Sequence, residues 1–238
     1  MTPTRPRGFL SGSTLKLIAC ALMLVDHIGF ILFPRLTVLR QIGRLAFPLF
    51  AFFIAEGCRY TRNRTRRLLW LAVPAAVMAL VCFLYDGKWL GNIFVTFTYA
   101  VVLIYLLDAV RTQATRAVWR GVAAGGVFLA ALVAVWWLCE VLPVDYGYYG
   151  VLAPVFVYAA DMLSPRDSHL IRLGGLAIGL ALISYDLGSY QYYSFLALIP
   201  LALYNGERGR YPLKYFFYLF YPLHLAALQL IDTLLKNA

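Results

Sequence analysis

The sequence predicts an all-α integral membrane protein, a polytopic transmembrane bundle of about nine helices whose N-terminus lies in the cytoplasm. The composition is the first reason for this prediction. Of the 238 residues, 62% are hydrophobic and 13% are charged, whereas about 25% of the residues in an ordinary soluble domain are charged. A soluble globule of this size cannot bury so much apolar surface. A soluble enzyme, a disordered chain and a disulfide-stapled secreted domain are therefore excluded.

The apolar residues fall into nine runs, which is the second reason. A helix needs about 20 mostly apolar residues to cross a bilayer, and only the sixth and eighth runs are clearly short. No linker or fixed-period repeat divides the chain, so residues 1–238 are predicted to form one membrane domain, with a cytoplasmic tail over residues 1–13. The predicted spans are residues 14–34, 44–60, 68–85, 91–109, 120–142, 147–163, 170–187, 190–204 and 214–235.

The distribution of basic residues is the third reason. Counted loop by loop, 16 of the 21 Lys and Arg residues fall on the side of the N-terminus. Cytoplasmic loops of membrane proteins carry such an excess, so the N-terminus is predicted inside a bacterial inner membrane and the C-terminus outside. The net charge of +10 has the same origin. The bilayer is therefore the predicted partner, nucleic acid is not, and the oligomeric state stays open.

The first span, LKLIACALMLVDHIGFILFP, contains three ionisable residues, which are costly inside a bilayer and usually face a cavity. Lys16 and His27 are separated by close to three full turns, so both project from one face, roughly 16 Å apart along the axis. Asp26 points about 100° away from His27. His27 is a candidate functional group in the outer half of the membrane. The alternative is that His27 and Asp26 only form hydrogen bonds between helices.

The second span, GRLAFPLFAFFIAEG, carries a charged residue near each end. Arg44 enters from the outer side, at the depth of the histidine, although it could also be an anchor that reaches the surface. Pro48 is expected to kink the helix and to free backbone groups toward a cavity. Glu56 lies at the cytoplasmic end, where the alternative to a role in the site is an ion pair with Arg59 or Arg62.

The loop after the second span holds the densest run of arginines, including Arg59, Arg62 and Arg64. Such a run sets topology and attracts anionic lipid. It would also suit the phosphates of a cytoplasmic cofactor, because guanidinium groups bind phosphate well. The four cysteines occur singly, without the spacing of metal ligands, so no metal site is predicted.

The last span, KYFFYLFYPLHLAALQLIDTLL, places His224 near the middle of the membrane. Tyr221 precedes it by one turn, and Pro222 opens the backbone beside it. If the bundle closes, His224 can meet the histidine of the first span. On the outer side, Asp145 opens the segment DYGYYG, whose tight turn either carries the carboxylate into the site or leaves it solvated.

The chain resembles the TraX family of conjugal-transfer membrane proteins, which is named for an acetylase of F-type pilin. The resemblance covers residues from about 13 to about 235 and implies acetylation of a protein's terminal amine, with acetyl-CoA as the donor. The spacing from Lys16 to His27 is also similar to a signature of broader multi-pass membrane acyltransferases, in which the basic residue is usually Arg. The segments that carry the resemblance are LKLIACALMLVDHIG, GRLAFPLFAFFIAEGCRYT, DYGYYGVL and ALYNGERGRYPLKYFFYLFYPLHL.

The resemblance implies that His27 is the catalytic residue. We expect His27 to act as general base toward an acceptor amine or hydroxyl, with Asp26 setting its tautomer. Arg44 or His224 would stabilise the oxyanion, and Lys16 together with the arginine run would hold acetyl-CoA. Supporting positions are expected at Glu56, Asp145 and Tyr221.

Two other functions stay open at this point. Buried Asp, Glu and His side chains also form proton relays, so a proton-coupled transporter of small solutes is one alternative. A non-catalytic membrane protein of pilus or secretion assembly is the other, since intramembrane charges also pair with partner helices.

Overall fold

The computed structural model describes residues 8–87, 91–163, 169–210 and 214–237, with the side chains of residues 85, 86, 214 and 215 excepted. Residues 1–7 of the predicted tail lie outside these ranges. The described chain is helical, as predicted, and its only extended pairing is an isolated bridge between Leu10 and Tyr204. The helices are α1 (Gly12–Ile31), α2 (Thr37–Gly43), α3 (Ala46–Tyr60), α4 (Arg64–Asp86), α5 (Ile93–Ala114), α6 (Val118–Val141), α7 (Gly147–Leu163), α8 (His169–Leu187), a 3₁₀ helix (Ser189–Ala197), α9 (Leu198–Ala202) and α10 (Lys214–Asn237).

Seven helical segments in the described ranges are long and apolar enough to cross a membrane, with α2 and α3 counted together as one of them. The helix α7 is apolar but shorter, at 17 residues. These segments confirm the predicted all-α transmembrane bundle.

Contacts between helix ends show which ends of the helices lie together in the bundle. At one end, Arg59 on α3 pairs with Asp161 on α7 at 3.1 Å, and His169 on α8 hydrogen-bonds the Leu201 carbonyl oxygen on α9 at 2.7 Å. We call this end, which also holds the first residues of α1 and α4, the basic end. At the opposite end, α2 packs against the 3₁₀ helix. Residues 189–202 therefore run back along α8 as a separate pass.

The pass over residues 189–202 differs from the predicted α-helix. It consists of nine residues of 3₁₀ helix and five of α-helix. A 3₁₀ helix rises about 2.0 Å per residue and an α-helix 1.5 Å, so these residues cover roughly 25 Å. The tighter helix explains how such a short run traverses the bundle.

The second predicted span begins earlier than expected and is broken in a different place. It starts with α2 at Thr37, and the break lies at Arg44 and Leu45. The expected kink at Pro48 is wrong because Pro48 falls in the first turn of α3, where its missing N–H has no intrahelical partner to lose.

The core lies between α1, α3, α5, α7 and α8. Fully buried side chains from these helices include Leu15, Phe52, Leu103 and Leu176. The outer face of α6 instead exposes large apolar side chains such as Trp119 and Leu129, as a helix in contact with lipid does. This arrangement places α1 in the interior, with its ionisable residues facing neighbouring helices.

Candidate active site

The two intramembrane histidines meet where α1 packs against α10. His27 Nδ1 and His224 Nε2 are 2.8 Å apart, and the ring centroids are 4.9 Å apart. His224 is 7% exposed, and its Nδ1 lies 2.6 Å from the Phe220 carbonyl oxygen one turn earlier. The sequence predicts this contact between the two histidines only if the bundle closes, and the structure shows that the two side chains meet.

The hydrogen-bond chain assigns the protons on the two rings. The Phe220 carbonyl oxygen only accepts, so His224 Nδ1 carries a hydrogen and donates it. In a neutral His224 the Nε2 atom is then an acceptor, and His27 Nδ1 must be the donor. This leaves the lone pair of His27 Nε2 unused by the pair. The arrangement therefore presents His27 Nε2 as a base.

Tyr221 supports both rings and connects them to the loop before α7. Its ring centroid lies 6.1 Å from that of His27 and 5.8 Å from that of His224, edge to face in each case. The Tyr221 hydroxyl and the Ile93 backbone N–H both face the Asp145 carboxylate and favour its charged form. Burial nevertheless raises the pKa of Asp145 to about 6. Asp145 is thus half-buried, with its carboxylate close to Tyr221 on α10.

Asp26 is paired with an arginine that sequence reasoning did not select. Arg40 Nη1 on α2 lies 2.5 Å from Asp26 Oδ2, and the Arg40 guanidinium also covers the ring of Phe30 at 4.9 Å. The structure gives Asp26 this partner instead of the His27 ring, as the 100° separation on α1 predicts. The side chain that orients His27 is therefore His224, and the expected role of Asp26 in setting the tautomer is not supported.

Arg44 faces the interior of the bundle in the same half as the histidines. Its guanidinium lies 5.8 Å from the centroid of Tyr146 and is a charged neighbour of the Tyr146 hydroxyl. The Tyr146 ring stacks on Phe47 at 4.0 Å, which holds this aromatic partner in place. Arg44 is therefore not an anchor that extends to the membrane surface.

Glu56 belongs to an ion-pair cluster at the basic end, which is the kind of environment that the alternative to a role in the site describes. It pairs with Arg172 on α8, a partner that sequence reasoning did not select, and the two side chains are only 9% and 6% exposed. Arg59 pairs with Asp161, which is 3.8 Å from Arg172 Nε. The signal for Arg172 was present in the sequence, because it lies within the apolar run of the seventh predicted span.

The predicted phosphate-binding arginines differ in their ion pairs and exposure. Arg64 pairs with Asp108 on α5, and Arg59 pairs with Asp161 on α7. Arg62 is exposed. Lys16 is half-buried between two aromatic rings, 4.9 Å from the centroid of Phe53 and 5.7 Å from that of Phe217. In the part of the chain that the structure describes, no three His, Cys, Asp or Glu side chains are grouped as metal ligands.

Comparison with known proteins gives a family match and two curated relatives. A family model described as "TraX protein" matches residues 11–232. A "Probable fimbrial assembly protein FimC, serogroup H1" of Dichelobacter nodosus is 28% identical over 245 residues, which is 92% of this chain and 94% of the relative. An uncharacterised protein of Rickettsia prowazekii (strain Madrid E) is 29% identical over 133 residues, 56% of this chain and 49% of its own length. No solved structure matches the chain.

Proposed function

The chain belongs to the TraX family and is an integral membrane protein, and from this premise we propose that it is a membrane-embedded acetyltransferase. Acetyl-CoA is the donor, and the acceptor is an amine such as the N-terminus of a pilin-like protein, or a hydroxyl. The hydrogen bond between His27 and His224 is the observation that carries this proposal. It leaves one imidazole nitrogen ready to accept a proton.

In the proposed reaction, His27 Nε2 takes the proton from the acceptor while the acceptor's nitrogen or oxygen bonds to the acetyl carbon. The carbon–sulfur bond of the thioester breaks, and the leaving thiolate takes the proton from His27. The donor supplies the activated acetyl group, and the residues of this chain hold and move the proton. General base catalysis of this kind contributes about 10²–10⁴-fold to a rate.

His224 has a positioning role in this proposal. Its Nδ1–H is committed to the Phe220 carbonyl, so its Nε2 accepts from His27 Nδ1 throughout. When His27 gains its second proton, the same hydrogen bond becomes charge-assisted and stronger. Arg44, a charged neighbour of His27, is the proposed partner of the developing oxyanion.

The proposed direction of transfer follows the length of α1. Lys16 lies at the basic end and His27 about 16 Å further along the helix, a distance that an extended pantetheine arm covers. With the basic end in the cytoplasm of a bacterium, as the charge distribution predicts, the donor enters from inside. The acceptor then meets the histidines from the outer half of the membrane.

A non-catalytic role in fimbrial or pilus assembly is the second candidate, and the name of the Dichelobacter nodosus relative, a probable fimbrial assembly protein, favours it. In that case the histidine pair joins helices and transfers no group. Assembly would then be lost on deletion of the gene and restored by a folded His27→Ala variant.

The experiment that tests the acetyltransferase is release of free thiol from acetyl-CoA by the protein in nanodiscs, with short peptides and small alcohols as acceptors. We expect His27→Ala to lower the rate about 10²–10⁴-fold. His224→Gln keeps an acceptor for His27 Nδ1 and is expected to retain more activity than His224→Leu. His169→Gln changes the remaining histidine of the chain and is the matched control. Its rate of thiol release is expected to stay near that of the wild type.

Two results would overturn the proposal. One is thiol release that His27→Ala leaves unchanged in a folded protein. The other is failure of the folded wild-type protein to bind CoA and to release thiol with any acceptor of the mixture.

A further inference from the structure

Three cationic side chains from three different elements converge at the basic end. They are Lys16 on α1, Arg67 on α4 and Arg208 in the segment before α10, and we call them the cation triad. Arg67 and Arg208 are both charged neighbours of Lys16. Sequence reasoning selected Lys16 for phosphate binding, but it grouped Lys16 with Arg59, Arg62 and Arg64 instead.

Arg208 is held at the triad by its own backbone. Its carbonyl oxygen accepts from the Ser13 backbone N–H at 2.9 Å and from Ser13 Oγ at 2.7 Å. The Glu207 carbonyl oxygen accepts from the Gly12 N–H at 2.8 Å. These bonds fasten the segment to the first turn of α1, one turn before Lys16. The Arg208 side chain is exposed and makes no contribution to this fastening.

Arg67 reaches the triad across α3. Its Nη2 donates to the Ile54 carbonyl oxygen at 2.8 Å, and its guanidinium lies on Gly57, where a Cβ would overlap it. Lys16 Nζ lies over the ring of Phe53, the residue next to Ile54. Lys16 and Arg67 therefore flank the same turn of α3.

The charges of the triad are not balanced by salt bridges within the described residues. Arg59 and Arg64 each pair with an aspartate, whereas no described carboxylate lies within ion-pair distance of a triad member. The carboxylate that acts on Lys16 is Glu56, which pairs with Arg172. The side chain of Glu207, beside Arg208, is exposed. Like charges held together repel one another, and a site with this field attracts anions.

We propose that Lys16, Arg67 and Arg208 form a binding site for a ligand that carries several phosphate groups and enters from the basic end. The exposed Arg208 and half-buried Lys16 contact the ligand, and Arg67 supplies a fixed charge behind them. The proposal rests on the proposed function where the ligand is CoA, whose phosphates would lie on the same helix as His27. The headgroup of an anionic phospholipid is the other source of this chemistry.

The test measures binding of CoA by titration calorimetry to the full-length protein in nanodiscs of phosphatidylcholine. We expect Arg208→Ala to weaken binding about tenfold, the effect of losing one charge-assisted contact. Arg210→Ala removes an equal charge from the same segment and is expected to change the Kd by less than about twofold. Lys16→Gln is expected to behave as Arg208→Ala, with partial recovery in Lys16→Arg. Binding of pantetheine, which has no phosphate, is the second measurement and should not respond to Arg208→Ala.

The outcomes separate this inference from the proposed function. Equal losses in Arg208→Ala and Arg210→Ala, or no loss in either, would overturn the triad while leaving the acetyltransferase in place. If CoA does not bind, native mass spectrometry with phosphatidylglycerol decides the source of the phosphate. Retention of the lipid that depends on Lys16 and Arg208 would support the triad as a phosphate-binding site. It would also contradict the proposal that acetyl-CoA is the donor. No retention would overturn the triad as well.

Discussion

At the scale of single residues, the hydrogen bonds of the two imidazole rings give them different roles. His224 is tied to the backbone of its own helix through Phe220, so its tautomer is set locally. His27 depends on His224 for its tautomer and keeps its other nitrogen for chemistry. Tyr221 lies between this pair and Asp145, whose pKa burial raises to about 6.

The titration of Asp145 predicts how stability depends on pH. The folded protein releases this proton near pH 6 and the unfolded chain near 3.8. Between those values the folded state binds the proton more tightly, so the free energy of unfolding falls as the pH rises. We expect the thermal unfolding midpoint in detergent to fall across this window and the fall to shrink in Asp145→Asn.

The control for this prediction is Asp186→Asn, which changes an exposed carboxylate at the same end of the bundle. It should leave the pH dependence as in wild type. An Asp145→Asn profile that parallels wild type would show that the burial of Asp145 does not govern its proton affinity.

At the scale of elements, the contact of α1 with α2 brings the polar residues of the site together. Gly29 on α1 lies against Leu39, and Gly43 lies against Asp26, in both cases without room for a Cβ. Small residues allow helices in a membrane to approach closely. This approach is what allows Arg40 on α2 to reach Asp26.

Gly43→Ala tests this packing. The added methyl group would overlap Asp26, and overpacking of this kind typically costs about 1–3 kcal/mol. Gly126→Ala is the matched control, because no atom lies within 4 Å of the Cβ it would add to α6. We expect a lower unfolding midpoint for Gly43→Ala and an unchanged or slightly higher one for Gly126→Ala. Equal midpoints would contradict the close contact.

At the scale of the whole molecule, ion pairs join the helices at the basic end. Arg59, Arg64 and Arg172 tie α3 to α7, α4 to α5 and α8 to α3. Only the pair of Arg172 with Glu56 is buried, and breaking a buried pair by removing one partner costs several kcal/mol, so Arg172 has a structural role.

The nine spans that the sequence predicts place the C-terminus on the side opposite the basic loops. We expect an alkaline phosphatase fusion after Asn237 to be active outside the cytoplasm and a green fluorescent protein insertion near Arg210 to fluoresce inside. The reason is the excess of basic residues on the N-terminal side. Signals from both fusions on one side would show that residues 189–202 do not cross.

The sequence by itself determined the fold class and the three ionisable positions of the first span. Composition and periodicity suffice for these features, because the bilayer requires apolar runs of a known length. It also identified His27, His224, Tyr221 and Asp145 as separate candidates. Only the tertiary structure decided that these side chains meet, that Arg40 pairs with Asp26 and that Arg172 pairs with Glu56. Such contacts join residues far apart in the chain, and helical periodicity determines which face a residue occupies but not which helix packs against it.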